Sequence, residues 1–462
     1  MATNKKTYLT VITFLILEVL AFVSFTLTNS VILYAIAGFG LLFAMIFINL
    51  DKMKAKDFSP IGWILIPLVI FALLNIVSSF NSITNGMSIS LLSSVGLLSF
   101  FGLGYLSQSN PYFTMKKGML VIYSAIAVLA ILSLIMTFIS YTPFYTITYS
   151  GMYIYYQGTR IALGDSAKML FGFSIADVSV QYFQLFGTLL FSSVIGLRFI
   201  NPKTQTREFI IYCVYAILGL ISILFTINKM NILSSILVII FLPLIAFWPK
   251  KKKICDAYSY IFYGLVGLCV IGVLIFILNA LKVSFVSDII ASNALLDKLF
   301  NTNRISASWV EIIQKTFNFN NILGLSPVYT KDVISSGNIF LDMFETTGLF
   351  GGIAFIVFFV MAFRQICKYF KSNRDDELTR TLIIGFIGVF FIYNLFCYDL
   401  TPIKDNMDPF TVLPVQFNGL FMIVLFLIGY TFEFKKEEQK VVETETRNDE
   451  IIIDAEVVTY EE

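Results

Sequence analysis

The chain of 462 residues contains no histidine. A histidine general base and a histidine metal ligand are therefore both excluded, although histidine is the side chain most often used in these roles. Cysteine is also scarce: there are five, all in or beside apolar runs and without a C-x-x-C pair, at positions 213, 255, 269, 367 and 397. This pattern predicts neither a disulfide framework nor a cysteine metal site.

The chain also has few charged residues. Only 13% of its residues are charged, whereas 57% are hydrophobic and 48 residues are phenylalanine. Because a typical soluble domain carries about 25% charged residues, this composition excludes a soluble globular protein of this length. It predicts an all-α, polytopic membrane protein.

Apolar runs long enough to cross a bilayer can be counted directly, since one helical crossing needs about 20 apolar residues. The sequence contains twelve such runs, at 8–27, 31–50, 60–79, 88–106, 118–139, 182–200, 209–227, 232–248, 258–280, 338–362, 381–398 and 415–432. The first run ends without a small-residue cleavage pattern, so we expect it to be a retained helix rather than a signal peptide.

Lysine and arginine orient these runs, because short loops rich in them stay in the cytoplasm. Every second loop is basic, through Lys5, Lys6, Lys52, Lys54, Lys56, Lys116, Lys117, Arg198, Lys203, Arg207, Lys250, Lys251, Lys252, Lys253, Arg364, Lys368, Lys371, Arg374 and Arg380. We therefore expect twelve crossings with both termini cytoplasmic and long outer loops at about 140–181 and 281–337. The transmembrane domain is expected over 1–434, followed by an acidic, disordered cytoplasmic tail over 435–462.

The second outer loop contains an amphipathic pattern. Apolar side chains recur there at helical spacing, at Ile305, Trp309, Ile312 and Ile313. This spacing predicts a surface helix from Asn303 to Lys315. Arg304 stands in its first turn, where the helix dipole disfavours a cation, which argues against a purely structural purpose.

The next helix is expected to begin at Asn338. Asp342 and Glu345 then lie in its first two turns, where carboxylates interact favourably with the helix dipole. Both are carboxylates on the predicted outer side, and they are candidates for accepting a proton there.

The first outer loop is dense in tyrosine, and it includes Tyr155 and Tyr156. Such rings are typical of a membrane–water interface, and they also stack on sugars, so both interpretations stay open. Arg160 lies on the same side, and Asp177 precedes a helix. Between the seventh and eighth runs, Lys229 is the one departure from the charge pattern: it either reaches lipid headgroups or binds an anion.

Three stretches together resemble the O-antigen ligase and polymerase superfamily, most closely the Wzy-type bacterial polysaccharide polymerases. The longest is Arg304-x4-Trp309, then NILGLSP, then GNIFLDMFETTGLFGG. The second is Arg160 followed by FGFSIAD, and the third is TINKMNILSS, with Lys229 where the family usually has arginine. The chain departs from the family at Gly337, where many members have histidine.

The resemblance implies a GT-C-like membrane glycosyltransferase that polymerises oligosaccharide repeat units carried on undecaprenyl diphosphate, as in O-antigen or capsule biosynthesis. It implies that Arg304, Arg160 and Lys229 clamp the pyrophosphate at the outer face of the bacterial cytoplasmic membrane. The base is open among Asp177, Asp332, Asp342 and Glu345. Candidate substrate-binding residues are Trp309, Asn338, Tyr155 and Tyr156.

The expected partners are the lipid-linked oligosaccharide, membrane lipid, and flippase and chain-length regulator proteins, with no nucleic acid. No DxD-like pair lies in the predicted outer loops, so we expect neither a metal nor another cofactor. Two alternatives stay open. One is a ligase that transfers finished polymer to another acceptor. The other is a polytopic transporter or flippase, since twelve helices with cytoplasmic termini is also a common transporter plan.

Overall fold

The computed structural model describes residues 59–78, 86–108, 114–140, 153–156, 159–162, 178–225, 277–293, 304–317, 322–324, 338–372, 374–395 and 419–432, with a few single positions between 238 and 275. The helices are α1 Ser59–Ser78, α2 Gly86–Ser107, α3 Met115–Ser140, α4 Val178–Phe191, α5 Val194–Leu197, α6 Thr206–Phe225, α7 Ser284–Ser292, α8 Arg304–Thr316, α9 Ile339–Lys371, α10 Glu377–Asn394 and α11 Gly419–Tyr430. A short hairpin, β1 Tyr153–Tyr156 and β2 Thr159–Ala162, is the one departure from helix among these elements.

Three helical stretches in the described residues are long and apolar enough to cross a membrane: Thr206–Ile223, Ile339–Lys371 and Glu377–Asn394. Shorter apolar stretches occur at Trp63–Ser78, Ser94–Ser107 and Leu185–Leu197. These helices are typical of a membrane protein. The count of twelve crossings stays a prediction, because runs such as 8–27 and 31–50 lie outside the described residues, as does the tail at 435–462.

The sixth apolar run, predicted at 182–200, is not one straight helix. It is interrupted at Ser192 and Ser193, where α4 ends and the single turn α5 follows. The Ser192 hydroxyl donates to the carbonyl oxygen of Leu189 at 2.6 Å. A serine that bonds to its own backbone in this way competes with the helical ladder, which favours an interruption at this point.

The helices expose many apolar residues, and several of their polar residues are buried between helices within a largely apolar core. On α6, Ile210, Val214, Ile217 and Ile221 recur along one face and are exposed. Polar groups meet between the helices instead: the Ser124 and Tyr215 hydroxyls lie 2.6 Å apart, Tyr123 lies 2.7 Å from Ser192, and Asn75 donates to Ser94. The exposed apolar face and the polar contacts between helices fit a hydrocarbon surrounding, where polar side chains find their partners on neighbouring helices.

Helix α9 folds back on itself at Gly348. The backbone there has φ 77° and ψ −177°, which is not helical. The Phe340 ring centroid lies 5.7 Å from that of Phe355 and 6.3 Å from that of Phe359. In a straight helix these residues would lie about 22 and 28 Å apart along the axis. The predicted run at 338–362 therefore forms two arms: a short arm, residues 339–347, and a long arm, residues 349–371.

A charged side chain contacts the end of α11, the last helix among the described residues. The guanidinium carbon of Arg374 lies 4.6 and 4.5 Å from the ring centroids of Tyr369 and Tyr430. Its Nη1 donates to the Gln108 side chain at 3.0 Å and to the Phe432 carbonyl oxygen at 3.1 Å. The segment between α9 and α10 is thereby tied to the ends of α2 and α11.

Replacing Arg374 with alanine is expected to lower the free energy of unfolding by roughly 2–4 kcal/mol, because it removes a cation between two rings and a charged hydrogen-bond donor. The measurement is thermal unfolding of the purified full chain in detergent. Arg364→Ala is the matched control, since Arg364 lies exposed on α9, the helix that precedes Arg374. Equal melting temperatures for the two variants would contradict this role for Arg374.

Candidate functional site

Helix α8 is the predicted amphipathic helix of the second outer loop. It runs from Arg304 to Thr316, within one residue of the range expected at each end. Ile312 is 0% exposed and Ile313 is 5% exposed, and Trp309 is half-buried. This apolar face packs against α9, so α8 is attached to the folded-back helix rather than standing alone in a loop.

The short arm of α9 begins where the sequence analysis expected a helix to begin, and Asn338 is its cap. The Asn338 Oδ1 accepts hydrogen bonds from the backbone N–H groups of Phe340 at 2.9 Å and Leu341 at 3.3 Å. Its Nδ2 donates to the carbonyl oxygen of Leu395 at the end of α10, at 3.1 Å. Asn338 therefore starts the arm and joins it to α10, and a contact with substrate stays a prediction.

The short arm carries two carboxylates on one face. Asn338, Asp342 and Glu345 are spaced so that they lie above one another along the helix. Phe340 and Phe344 lie on the opposite face, where Phe344 is placed over Gly352 of the long arm. Asp342 is 0% exposed and Glu345 is 3% exposed. Burying a carboxylate costs free energy unless a nearby cation or hydrogen bonds compensate for the lost water. The groups around Asp342 and Glu345 must supply that compensation.

A lysine of α8 reaches one of these carboxylates. The Lys315 Nζ lies 4.0 Å from Glu345 Oε1 and 3.3 Å from Glu311 Oε1. The Glu345 side chain is fully buried, whereas the Glu311 side chain is 54% exposed. The same ammonium therefore faces one carboxylate in the protein interior and one at the surface, and the interior contact is the less screened by solvent.

Two glycine backbones hold the loop after α8 against the fold-back. The Leu349 N–H donates to the carbonyl oxygen of Ile322 at 3.1 Å. Gly324 and Gly348 both have positive φ, and a Cβ on either would overlap the backbone of the other segment. The contact requires glycine at both positions, because only glycine adopts this φ freely and leaves room for the approach.

In the segment predicted to be the first outer loop, the hairpin brings two predicted site residues into register. Arg160 of β2 pairs with Tyr155 of β1, and Tyr156 pairs with Thr159. Arg160 and Tyr155 thus occupy directly opposed positions of an antiparallel ladder, which places them on the same face. The tyrosines here were interpreted as a membrane interface or a sugar-stacking surface, and the hairpin was not predicted.

The remaining predicted site residues divide into two groups. The backbones of Arg304, Arg160, Tyr155 and Tyr156 are placed by the structure, but their side chains lie outside the part that it describes. Lys229, Asp177 and Asp332 lie wholly outside the described residues. Convergence of Arg304, Arg160 and Lys229 on one pyrophosphate stays a prediction. Among the four candidate bases, Asp342 and Glu345 are described, and they share one face of the short arm.

Sequence reasoning did not single out Lys315, which was read only as the end of the amphipathic helix. A signal was available, because Glu311 and Lys315 are one helical turn apart and Lys315 is three turns from Arg304 on the same face. Within the described residues, no group of three or more His, Cys, Asp or Glu side chains could hold a metal ion. The chemistry that the described groups offer is a carboxylate held beside an ammonium.

No protein-family model matches this chain, and no curated protein sequence matches it significantly.

Proposed function

We propose that the chain is a membrane glycosyltransferase that polymerises undecaprenyl-diphosphate-linked oligosaccharide repeat units into a surface polysaccharide. The reaction would take place at the outer face of the bacterial cytoplasmic membrane. The observation that carries the proposal is the packing of α8 on the short arm of α9. Helix α8, which contains the R-x4-W segment, packs on α9, which contains the ETTGLFGG segment, and Lys315 of α8 reaches Glu345 at the start of that segment.

In the proposed reaction the leaving group is a lipid-anchored pyrophosphate. Arg304, Arg160 and Lys229 would bind its oxygens and stabilise the charge that develops as the glycosidic C–O bond breaks. The acceptor hydroxyl would attack the anomeric carbon and give its proton to a carboxylate, one of Asp177, Asp332, Asp342 and Glu345. Carboxylates are the candidate bases because the chain has no histidine.

Contacts at the helix ends support the proposed orientation of the helices in the membrane. Each contact joins ends that the lysine and arginine pattern assigns to one side. On the predicted outer side, Asn338 bonds to Leu395 and Gln314 bonds to Ala280. On the predicted inner side, Lys116 lies 2.8 Å from Glu208 and Arg374 bonds to Gln108.

A transporter or flippase for the lipid-linked oligosaccharide is the second candidate. The fold-back at Gly348 favours it, because transporters build their sites from helices that are broken inside the membrane. A ligase acting on finished polymer would use the same leaving group and differs only in the acceptor.

An assay with the purified full chain in liposomes, supplied with a lipid-linked repeat unit, distinguishes these functions. A polymerase is expected to produce a ladder of chains of increasing length and to release undecaprenyl diphosphate in proportion. Arg304→Ala serves as the matched control, because it removes one proposed phosphate ligand and leaves the apolar face of α8 intact. Movement of the repeat unit across the bilayer without any chain growth would overturn the polymerase and favour the carrier.

A further inference from the structure

The attachment of α8 to the short arm of α9 combines an apolar face with one ionic contact. Ile312 and Ile313 supply the apolar face and are buried. Such contacts hold a helix close to its neighbour but specify its rotation and its shift along the axis weakly, since the hydrophobic effect is not directional. The contact of Lys315 with the buried Glu345 joins one position on α8 to one position on the short arm, with 4.0 Å between Nζ and Oε1, and it is made at the C-terminal end of α8.

Because Lys315 and Arg304 lie on the same helix, this contact influences where Arg304 lies. The two residues are three helical turns apart on the same face, about 16 Å along the axis. A helix moves as a rigid rod over this length. A rotation or shift that separated Lys315 from Glu345 would therefore displace the backbone of Arg304 at the other end.

We propose that Lys315 and Glu345 are positioning residues: their ion pair sets the register of α8 on the short arm and thereby places Arg304 to bind the substrate's diphosphate. This inference rests on the proposed function, because it assigns Arg304 a phosphate to bind. Glu311, the exposed partner of Lys315, plays no part in it, because a solvated carboxylate constrains a helix little.

The first test measures placement without reference to activity. Amide hydrogen exchange over residues 304–316 is followed in the purified full chain. Lys315→Met and Glu345→Gln are each expected to speed exchange in α8 at least tenfold. Glu311→Gln is the matched control and is expected to change it less than twofold. Unchanged exchange in both Lys315→Met and Glu345→Gln would overturn the proposal.

The second test measures the initial rate of chain growth in liposomes. Lys315→Met is expected to lower the rate at least twentyfold, Lys315→Arg to keep most of it, and the exchanged pair, Lys315→Glu with Glu345→Lys, to restore a substantial part. The exchanged pair separates positioning from proton transfer, because a lysine at position 345 does not replace a carboxylate base. Exchange over α8 that stays as fast in the exchanged pair as in Lys315→Met would overturn the positioning role of this ion pair.

A coupling measurement separates positioning from a general loosening of the protein. Arg304→Lys keeps the charge but loses the planar, bidentate fork of arginine, so it is expected to leave a measurable rate. If Lys315 acts through Arg304, Lys315→Met lowers the rate of chain growth by a much smaller factor in the Arg304→Lys chain than in the unaltered chain. Equal losses in the two backgrounds would overturn the proposal. Absence of chain growth in the unaltered protein would instead overturn the proposed function, whatever the exchange rates show.

Discussion

Arg304→Ala is expected to abolish polymer while the protein stays inserted in the membrane at normal abundance. If the side chain binds the diphosphate leaving group, its loss removes a charge-assisted donor from the point where negative charge develops. Removing one such donor lowers turnover by about 10²–10³. The apolar face that attaches α8 to α9 does not include Arg304, so folding and insertion should be retained.

Polymer length is read from cells whose own copy of the gene is deleted and replaced by the variant, and protein amount is read from isolated membranes. Arg207→Ala is the matched control, because Arg207 is exposed at the start of α6 on the predicted inner side. It is expected to give chains of normal length. Chains of normal length in Arg304→Ala would contradict both the binding of pyrophosphate by Arg304 and the function proposed from it.

Gly348→Ala has the largest effect that we expect on stability. The backbone of Gly348 has φ 77°, and a Cβ there would overlap the carbonyl oxygen of Ile322 and the backbone nitrogen of Gly324. A strained backbone and a steric overlap each cost about 1–3 kcal/mol, so the substitution is expected to lower the free energy of unfolding by roughly 2–6 kcal/mol. It would also separate the two arms of α9 and release the loop that follows α8.

The measurement is thermal unfolding of the purified chain in detergent, together with hydrogen exchange over the short arm. Gly102→Ala is the matched control, since Gly102 lies in α2 and a Cβ there meets nothing within 4 Å. That substitution is expected to leave stability unchanged or to raise it slightly, because alanine is the better helix former. A melting temperature that falls no further for Gly348→Ala than for Gly102→Ala would contradict the requirement for glycine at the fold-back.

Local patterns in the sequence placed several elements within a few residues. The apolar run at 118–139 corresponds to Met115–Ser140, and the run at 209–227 corresponds to Thr206–Phe225. The amphipathic spacing placed α8, and Asn338 was identified as the start of the next helix. These predictions succeeded because helical periodicity, apolar length and capping side chains depend on neighbours within a turn or two of the chain.

The β-hairpin at residues 153–162 shows where local reasoning failed. Alternating tyrosines before Gln157 and Gly158 are compatible with two short strands and a two-residue turn. The same tyrosines are equally typical of a membrane interface, and composition alone did not separate the two. The pairing of Tyr155 with Arg160 follows only from the register.

By itself the sequence determined that this is a membrane protein, with a polar loop carrying an amphipathic helix and a capped helix after it. The tertiary structure decided that the capped helix folds back at Gly348 and that Lys315 of α8 lies beside the buried Glu345. The segment 338–362 was counted as one apolar run although Asp342, Glu345 and Gly348 lie within it, because hydropathy does not report the backbone φ at which the chain turns. The fold-back depends on a close approach to Gly324, and the ion pair depends on how two helices pack. Both are contacts between segments that local patterns do not connect.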